Sequence, residues 1–363
     1  MSRKLSSDRA LFAVTAALLG GGLVMVWSAS SALAQESHGS AYHFLVRQML
    51  WAGLGLVIML AAIRIDYRKL RQRSVVFGLL GLATLLLILV LFLPTLNETH
   101  RWIRFSGLSF QPAELAKLAV IVFLAYHLER KSDRINEFVP TLFPALMLLG
   151  WFAFLIFIQP DLGSAATLCL IGFVLLYVAG VRMRYFAVLG LLAIPVLYQA
   201  VMGAAYRRDR IEAFLNPWSD ARGSGYQIIQ SLIAVGTGGM TGVGLMEGRQ
   251  KLFYLPYPYS DFIFAVIGEE LGLIGAAAVI AGFLLFLWRG VRASWRAPDA
   301  FSRYLAAGLT LEIVLQAFIN ISVVIGLLPT KGIPLPFISA GGSSLVMALL
   351  SVGLVLNISQ HAD

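Results

Sequence analysis

The sequence predicts an all-α polytopic membrane protein, and three observations support this fold class. Of its 363 residues, 59% are hydrophobic and only 13% are charged, and its mean hydropathy is +0.81, whereas about a quarter of the residues of a soluble domain are charged. Ten segments approach the roughly 20 apolar residues that a bilayer-spanning helix needs. Basic residues are concentrated in alternate connections between these segments. We therefore expect one integral membrane domain over residues 1–363.

Ten transmembrane helices are predicted along the chain. They cover about 11–34, 44–63, 75–93, 113–128, 139–158, 164–181, 185–203, 262–288, 304–326 and 341–359. The first follows a basic stretch and contains Ala32-Leu33-Ala34, which imitates a signal-peptidase site. Its uncharged run from Ala10 to Gln35 exceeds the about 7–15 apolar residues of a signal peptide. We therefore expect this helix to be retained.

The distribution of Lys and Arg predicts the orientation. With the N-terminus inside, 17 of the 28 basic residues fall in inner segments and nine in outer ones. Most of the outer nine lie in the long loop 204–261, and long loops count little in the positive-inside rule. Both termini are thus predicted to be cytoplasmic. The net charge of +9 then reflects topology and contact with anionic lipid rather than nucleic-acid binding.

The chain lacks the sequence motifs of several function classes. A Walker sequence is absent, which argues against an ATPase. The five histidines, at positions 38, 43, 100, 127 and 361, show no recognised metal-ligand spacing. The single cysteine, Cys169, lies in an apolar run and cannot form an internal disulfide.

The fourth predicted helix begins with charged residues. The outer segment 94–112 leads into Gln111-Pro112-Ala113-Glu114-Leu115-Ala116-Lys117, where a proline suits the first helical turn. Glu114 and Lys117 are three residues apart and share a helical face. They form either a structural ion pair or part of a functional site, since charges in spanning helices usually face the bundle or a wet cavity.

The connection between the fifth and sixth helices is Gln159-Pro160-Asp161-Leu162-Gly163-Ser164. An aspartate directly before an apolar run is typical of a helix N-cap. We favour that structural role for Asp161 over a functional one.

The loop 204–261 is 58 residues long, and loops of that length usually carry function. Its piece 225–235 is apolar but too short to span, which predicts an interfacial or re-entrant helix. The glycine-rich piece 236–244 lacks a P-loop lysine, so a closely packed turn is favoured. Five basic residues suit a phosphate-bearing partner or are solvated surface charges. They are Arg207, Arg208, Arg210, Arg249 and Lys251.

Leu328 to Ser344 contains three prolines, which cannot all lie inside one regular helix. A broken or re-entrant segment at membrane depth requires protein or a water-filled cavity around it, and Lys331 would be the cation of that cavity. On the ninth helix, Glu312, Gln316 and Asn320 form an i, i+4, i+8 stripe, for which interhelical hydrogen bonding is favoured.

Asp261 lies where the long loop meets the eighth predicted helix, at the edge of the membrane. A carboxylate there can meet a substrate whose tail lies in lipid and whose head lies in water. The residues alone favour a structural role, either as N-cap or in the first turn, where the helix dipole favours a carboxylate.

Several of these segments together resemble the SEDS family of bacterial cell-wall proteins over about residues 11–359. The resemblance is carried by 110–117 (FQPAELAK), 159–163 (QPDLG), 216–218 (NPW), 225–227 (GYQ), 261–272 (DFIFAVIGEELG) and 326–332 (GLLPTKG). The approach 251–256 (KLFYLP) to Asp261 and the piece 329–344 are similar to the division member of the family rather than the elongation member.

The resemblance implies a ten-helix peptidoglycan glycosyltransferase with a long outer loop between helices 7 and 8. It would polymerise lipid II at the division septum of the inner membrane and release undecaprenyl diphosphate, with Asp261 as the catalytic base. The implied substrate-binding residues are Trp102, Glu114, Lys117, Lys331, Arg101, Arg210 and Ser343. The implied partners are a class B penicillin-binding transpeptidase and small bitopic divisome proteins. Family chemistry implies a divalent cation, Mg²⁺ or Mn²⁺, for which the sequence shows no ligand motif.

Two other functions compete with glycosyl transfer. A lipid II flippase would also need a polar-lined bundle with broken helices, but its polar route would cross both leaflets. A non-catalytic scaffold that recruits the septal transpeptidase would need interfaces but no buried carboxylate or cation.

Overall fold

The computed structural model describes residues 7–93, 100–105 and 108–361, and within these ranges the protein is a bundle of α-helices with one small hairpin. The helices are α1 (Arg9–His38), α2 (His43–Arg64), α3 (Arg73–Leu89), α4 (Pro112–Arg130), α5 (Phe143–Ile158), α6 (Leu162–Val178), α7 (Met183–Met202), α8 (Ala205–Leu215), α9 (Tyr226–Thr237), α10 (Ile263–Trp295), α11 (Ala300–Val324) and α12 (Gly342–Ser359). Strand β1 (Ile103–Phe105) pairs antiparallel with β2 (Leu108–Phe110).

Each of the ten segments predicted to span the membrane contains a helix, and together these are α1–α7 and α10–α12. Eight of the helices are long and apolar enough to cross a membrane. The other two, α4 and α6, fall short for different reasons: α4 carries charges at both of its ends, and α6 has only 17 residues. The count of ten spans therefore stays a prediction.

The long loop 204–261 contains two helices of its own. Helix α8 carries the Arg207–Arg210 charges, and α9 coincides with the piece predicted to be an interfacial or re-entrant helix. Helix α9 packs against α10 and buries Ile228, Ile229 and Ala234. The helical prediction for this piece is confirmed, and its depth in the membrane stays a prediction.

The centre of the bundle is formed by α4 and α11, with α12, α10 and α6 around them. Lipid tails are as apolar as leucine, so helices in a bilayer associate through close packing at small residues. A Cβ added at Gly308 of α11 would lie 2.6 Å from Ile121, and one added at Gly353 of α12 would lie 2.6 Å from the carbonyl of Met59. Helix α7, in contrast to these closely packed helices, has no buried residue.

Helix α10 is broken at Gly272, whose φ of 64° and ψ of −162° are accessible almost only to glycine. The break frees backbone groups that have no partner in lipid, and the glycine-rich piece 236–244 provides partners for them. The N–H groups of Leu273 and Ile274 donate to the carbonyls of Gly239 and Met240, and those of Val243 and Gly244 donate to the carbonyls of Glu269 and Glu270, at 2.9–3.2 Å. The predicted closely packed turn is confirmed.

The segment between α11 and α12 is not helical, as its three prolines predict. Side chains from neighbouring helices hold its backbone instead. Gln48 of α2 donates to the carbonyl of Ser339 at 2.9 Å, and Gln316 of α11 donates to the carbonyl of Pro334 at 3.0 Å. The part of this backbone from 333 to 339 is therefore largely buried in protein, and these side chains satisfy two of its carbonyls.

Candidate functional site

Four polar segments meet at one end of the bundle, around a small cavity of about 20 Å³. Its lining includes Gln111, Glu114, Lys117, Gln316, Lys331 and Gly332. These residues come from the start of α4, from α11 and from the irregular segment before α12, and α6 contributes Ser164 and Thr167. The space is enough for a water-sized group, so a larger substrate has to lie outside it.

Asp261 lies two residues before α10, and it does not cap that helix. The N-cap is Phe262, and no backbone N–H of the first turn of α10 donates to the Asp261 carboxylate. The side chain instead lies against Gly332, where an added Cβ would be 2.7 Å from its Oδ2 atom. The N-cap interpretation of Asp261 is therefore wrong, which leaves its carboxylate free to act on a ligand.

Burial raises the pKa of Asp261 to about 6 from an ordinary value of 3.8. A hydrogen bond from Ser260 and the positive charges of Arg210, Arg101 and Lys331 act in the opposite direction and limit the rise. A carboxylate with a pKa near 6 is mostly ionised at neutral pH and yet basic enough to accept a proton.

Lys331 provides a cation whose charge acts on this carboxylate. Its side chain passes directly over Gly163, where any Cβ would lie within 2.1 Å of Cδ and Nζ, so only glycine fits in that position. No carboxylate of the described residues lies within 4.0 Å of Nζ. Burial lowers the pKa of Lys331 to about 8, and the charge of Asp161 partly opposes this. The ammonium group is therefore available to an anion.

Asp161 caps α6, as its position predicts. Its carboxylate accepts hydrogen bonds from the backbone N–H of Ser164 at 3.0 Å and from the Ser164 hydroxyl at 2.7 Å. The same carboxylate lies 3.9 Å from Nε of Arg101, which also donates to the carbonyls of Gln159 and Pro160. The cap thus orients a guanidinium group toward the site.

The remaining predicted ligand residues have different surroundings. Arg210 is exposed on α8, and its charge acts on Asp261. Trp102 is half-buried just before β1. Ser343 is buried, and its hydroxyl accepts a hydrogen bond from the backbone N–H of Gln111 at 3.1 Å, which joins α12 to the start of α4. The substrate-binding roles of these three residues stay predictions.

Glu114 and Lys117 form the predicted ion pair, with Lys117 Nζ 2.9 Å from Glu114 Oε2. The structure adds Glu312, whose Oε1 lies 3.5 Å from the same ammonium, and Gln316, whose Oε1 accepts from it at 2.9 Å. All four side chains are buried. The stripe on α11 therefore acts as interhelical contact, as favoured, and Asn320 extends it to the irregular segment through the carbonyl of Ile333.

For Lys251, both interpretations of the basic loop residues, phosphate ligand and surface charge, are wrong. It is buried, and its Nζ lies 2.6 Å from Glu270 and 3.1 Å from the Ser28 hydroxyl of α1. It is therefore neither a surface charge nor an available phosphate ligand. Glu269 accepts from the backbone N–H groups of Arg249 and Gln250. The sequence did not predict the contacts among Lys251, Glu270 and Ser28, because these partners lie 19 to 242 positions apart.

Together, these features define an integral membrane protein that has a half-buried carboxylate and several cations at one end of its helical bundle. A family model described as "Cell cycle protein", which covers FtsW, RodA and SpoVE, matches residues 9–363. The chain belongs to this family.

Its relatives are similar over nearly their whole lengths. The chain is 46% identical over 356 residues to "Probable peptidoglycan glycosyltransferase FtsW" of Geobacter sulfurreducens, covering 97% of this chain and 95% of the relative. It is 42% identical over 362 residues to "Stage V sporulation protein E" of Bacillus subtilis, covering 99% of both. A chain of a peptidoglycan synthase complex, solved to study the coordination of polymerization and crosslinking, is 31% identical with a TM-score of 0.80, at 98% coverage of both chains. The fold is thus the SEDS fold that the motifs predict.

Proposed function

We propose that this protein is a peptidoglycan glycosyltransferase that polymerises lipid II into glycan strands. The observation that carries the proposal is the Asp261 carboxylate, which lies against Gly332, has a pKa of about 6 and feels the charge of the neighbouring residue Lys331. The names of the curated relatives agree with this activity. A base and an anion-binding cation are the two groups that glycosyl transfer from a lipid diphosphate needs.

In the proposed reaction, Asp261 accepts the proton of the sugar 4-hydroxyl as that oxygen attacks the anomeric carbon of the second substrate. The new O4–C1 bond forms while the bond from C1 to the diphosphate oxygen breaks. Undecaprenyl diphosphate leaves with the bonding electron pair. Lys331, Arg101 and Arg210 stabilise the negative charge that develops on it.

Charge balance supports a divalent cation as the companion of the diphosphate. The acids of the site are Asp161, Asp261, Glu114 and Glu312, and its bases are Arg101, Arg210, Lys117 and Lys331. These charges balance, so a bound diphosphate brings an excess of negative charge. No group of three or more metal-ligating side chains occurs in the described residues. When bound with the diphosphate, Mg²⁺ or Mn²⁺ would supply charge neutralisation.

The interior of α4 argues against a flippase. Below Lys117, residues 118–125 are all apolar and buried, so the polar cluster does not continue toward the other end of this helix. A flippase for a charged headgroup needs a polar route through both leaflets. A pure scaffold, in turn, has no use for a carboxylate and cations kept close together at a cost in desolvation.

We also propose the setting of this activity. The Lys and Arg bias supports cytoplasmic termini and an outer loop 204–261 in the inner membrane. The identity to a relative named FtsW supports the division septum. The similar chain from a peptidoglycan synthase complex supports a class B penicillin-binding transpeptidase as partner. Small bitopic divisome proteins follow from the family resemblance alone.

Purified protein with its transpeptidase partner tests the proposal. The complex is given labelled lipid II, with the transpeptidase blocked by a β-lactam, and the products are separated by size. Glycan polymer is the expected product. Lipid II that stays monomeric, with transport across vesicles, would favour the flippase. Monomeric lipid II without transport would favour the scaffold.

A further inference from the structure

The backbone that carries Asp261 is held by three successive hydrogen bonds. The carbonyl of Tyr259 accepts from the backbone N–H of Ala340 at 2.9 Å, and that of Ser260 accepts from the Ser339 hydroxyl at 2.5 Å. The carbonyl of Asp261 itself accepts from the Asn320 amide at 2.8 Å. Two of these donors belong to the irregular segment before α12, and the third belongs to α11.

Asn320 also holds the segment that carries Lys331. Its Nδ2 atom donates a second hydrogen bond to the carbonyl of Ile333 at 2.7 Å, two residues after that lysine. One amide nitrogen therefore joins the backbone of the carboxylate to the backbone of the cation. Gly332 completes the contact, because its missing side chain lets the Asp261 carboxylate approach.

The role of Asn320 in this contact is to donate. The side chain is 1% exposed, and its Oδ1 atom has no hydrogen-bond partner among the described residues. The reverse amide orientation would direct Oδ1 at two carbonyl oxygens, which is repulsive, so the network fixes the orientation. A buried acceptor without a partner is destabilising, and this one lies next to the site.

We propose that Asn320 is a positioning residue of the glycosyl transfer: its amide fixes the spacing between Asp261 and Lys331. The proposal rests on the function proposed above. Without the amide, the two backbones separate and the base loses its alignment with the attacking hydroxyl. A displacement of about 1 Å can lower the rate about 10²-fold.

The test compares two buried asparagines. Asn320→Leu keeps the branching of the side chain, adds no charge and removes both hydrogen bonds. Asn357→Leu is the matched control, because Asn357 is equally buried, donates to the carbonyl of Ile63 and accepts from the N–H of Tyr67. Both variants leave two backbone groups unpaired, but Asn357 lies far along α12 from the site.

We expect Asn320→Leu to lower kcat about 10–100-fold with little change in KM, and Asn357→Leu to keep the wild-type kcat. The pH profile separates positioning from mere stability. The titratable or charged groups that face Asp261 are Arg101, Arg210, Lys331 and Tyr259. Moving the base away from Lys331 removes an attraction that favours its ionised form, so the acid limb of kcat should move to higher pH.

Equal kcat values and equal acid limbs in the two variants would overturn the proposal. Should Asn320→Leu fail to fold, Asn320→Ala provides the same test, because it removes the same two hydrogen bonds without adding bulk. It should lower kcat and move the acid limb in the same direction, and a wild-type profile would overturn the proposal. A wild-type enzyme that makes no polymer would instead overturn the proposed function, and active Asp261→Asn would overturn the role of the base.

Discussion

At the scale of single residues, the environment of Asp261 predicts how the activity depends on pH. Burial raises its pKa to about 6, and only the ionised carboxylate accepts a proton. The rate of polymer formation should therefore be highest near pH 7, and it should decline toward pH 8 as the Lys331 ammonium, with a pKa of about 8, loses its proton. It should fall about tenfold per unit below pH 6, because the ionised fraction falls by that factor. Initial rates measured between pH 5 and 8 check this, and a rate unchanged at pH 5 would contradict it.

The two aspartates also show what local sequence can predict. Asp161 precedes an apolar run and caps it, because the cap depends only on residues three positions away. Asp261 precedes an apolar run in the same way, but the hydrogen bonds from Asn320 to its carbonyl and from Ser339 to the carbonyl of Ser260 fix a conformation without a cap. Those partners lie 59 and 79 positions away, and no local pattern reports them.

At the scale of helices, Lys117 pairs with Glu114 of its own helix α4 and joins α4 to α11 through Glu312 and Gln316. Lys117→Met should destabilise the protein by about 3–5 kcal/mol, because it leaves Glu114 and Glu312 buried without a counter-charge. Glu114→Gln should cost less, since Lys117 keeps Glu312 at 3.5 Å. The double variant should cost less than the sum of the two. Unfolding in detergent measures these values, and simple additivity would show that the pair is not coupled.

The break in α10 predicts that Gly272 cannot be replaced. Gly272→Ala places a Cβ 2.3 Å from the backbone nitrogen of Gly242 in a backbone region that side chains avoid. Strain of this kind costs about 1–3 kcal/mol, and the clash adds to it. Gly236→Ala, in α9 of the long loop, is the control, because the added Cβ meets no atom within 4 Å. It should be neutral or stabilising by up to about 1 kcal/mol.

Thermal unfolding of both variants in detergent compares them. A Gly272→Ala variant as stable as Gly236→Ala would show that the helix is not broken there. The sequence predicts the existence of α10 from hydropathy, but not this break, because the apolar run continues through Gly272. The break depends on hydrogen bonds between α10 and the piece 236–244, and this tertiary contact has no local sequence signal.

At the scale of the whole molecule, the charge distribution predicts the orientation in the membrane. Alkaline phosphatase fused after Gly223, in the long loop, should be active, since it folds with disulfides only outside the cytoplasm. The same enzyme fused after Asp133, between α4 and α5, should be inactive. The opposite pattern would place Asp261 on the cytoplasmic side, where a septal glycan cannot be made.

Glycan synthesis by Asp261→Asn decides whether this carboxylate is the base of the reaction. Asparagine keeps the size of the side chain but cannot accept the proton, and general-base assistance is worth about 10²–10⁴ in rate. Asp220→Asn is the matched control, because Asp220 is exposed in the same loop and caps a local turn. Both variants are purified with the partner, checked for monodispersity and given lipid II. We expect polymer from Asp220→Asn and none from Asp261→Asn; polymer at the wild-type level from Asp261→Asn would remove this residue from the chemistry.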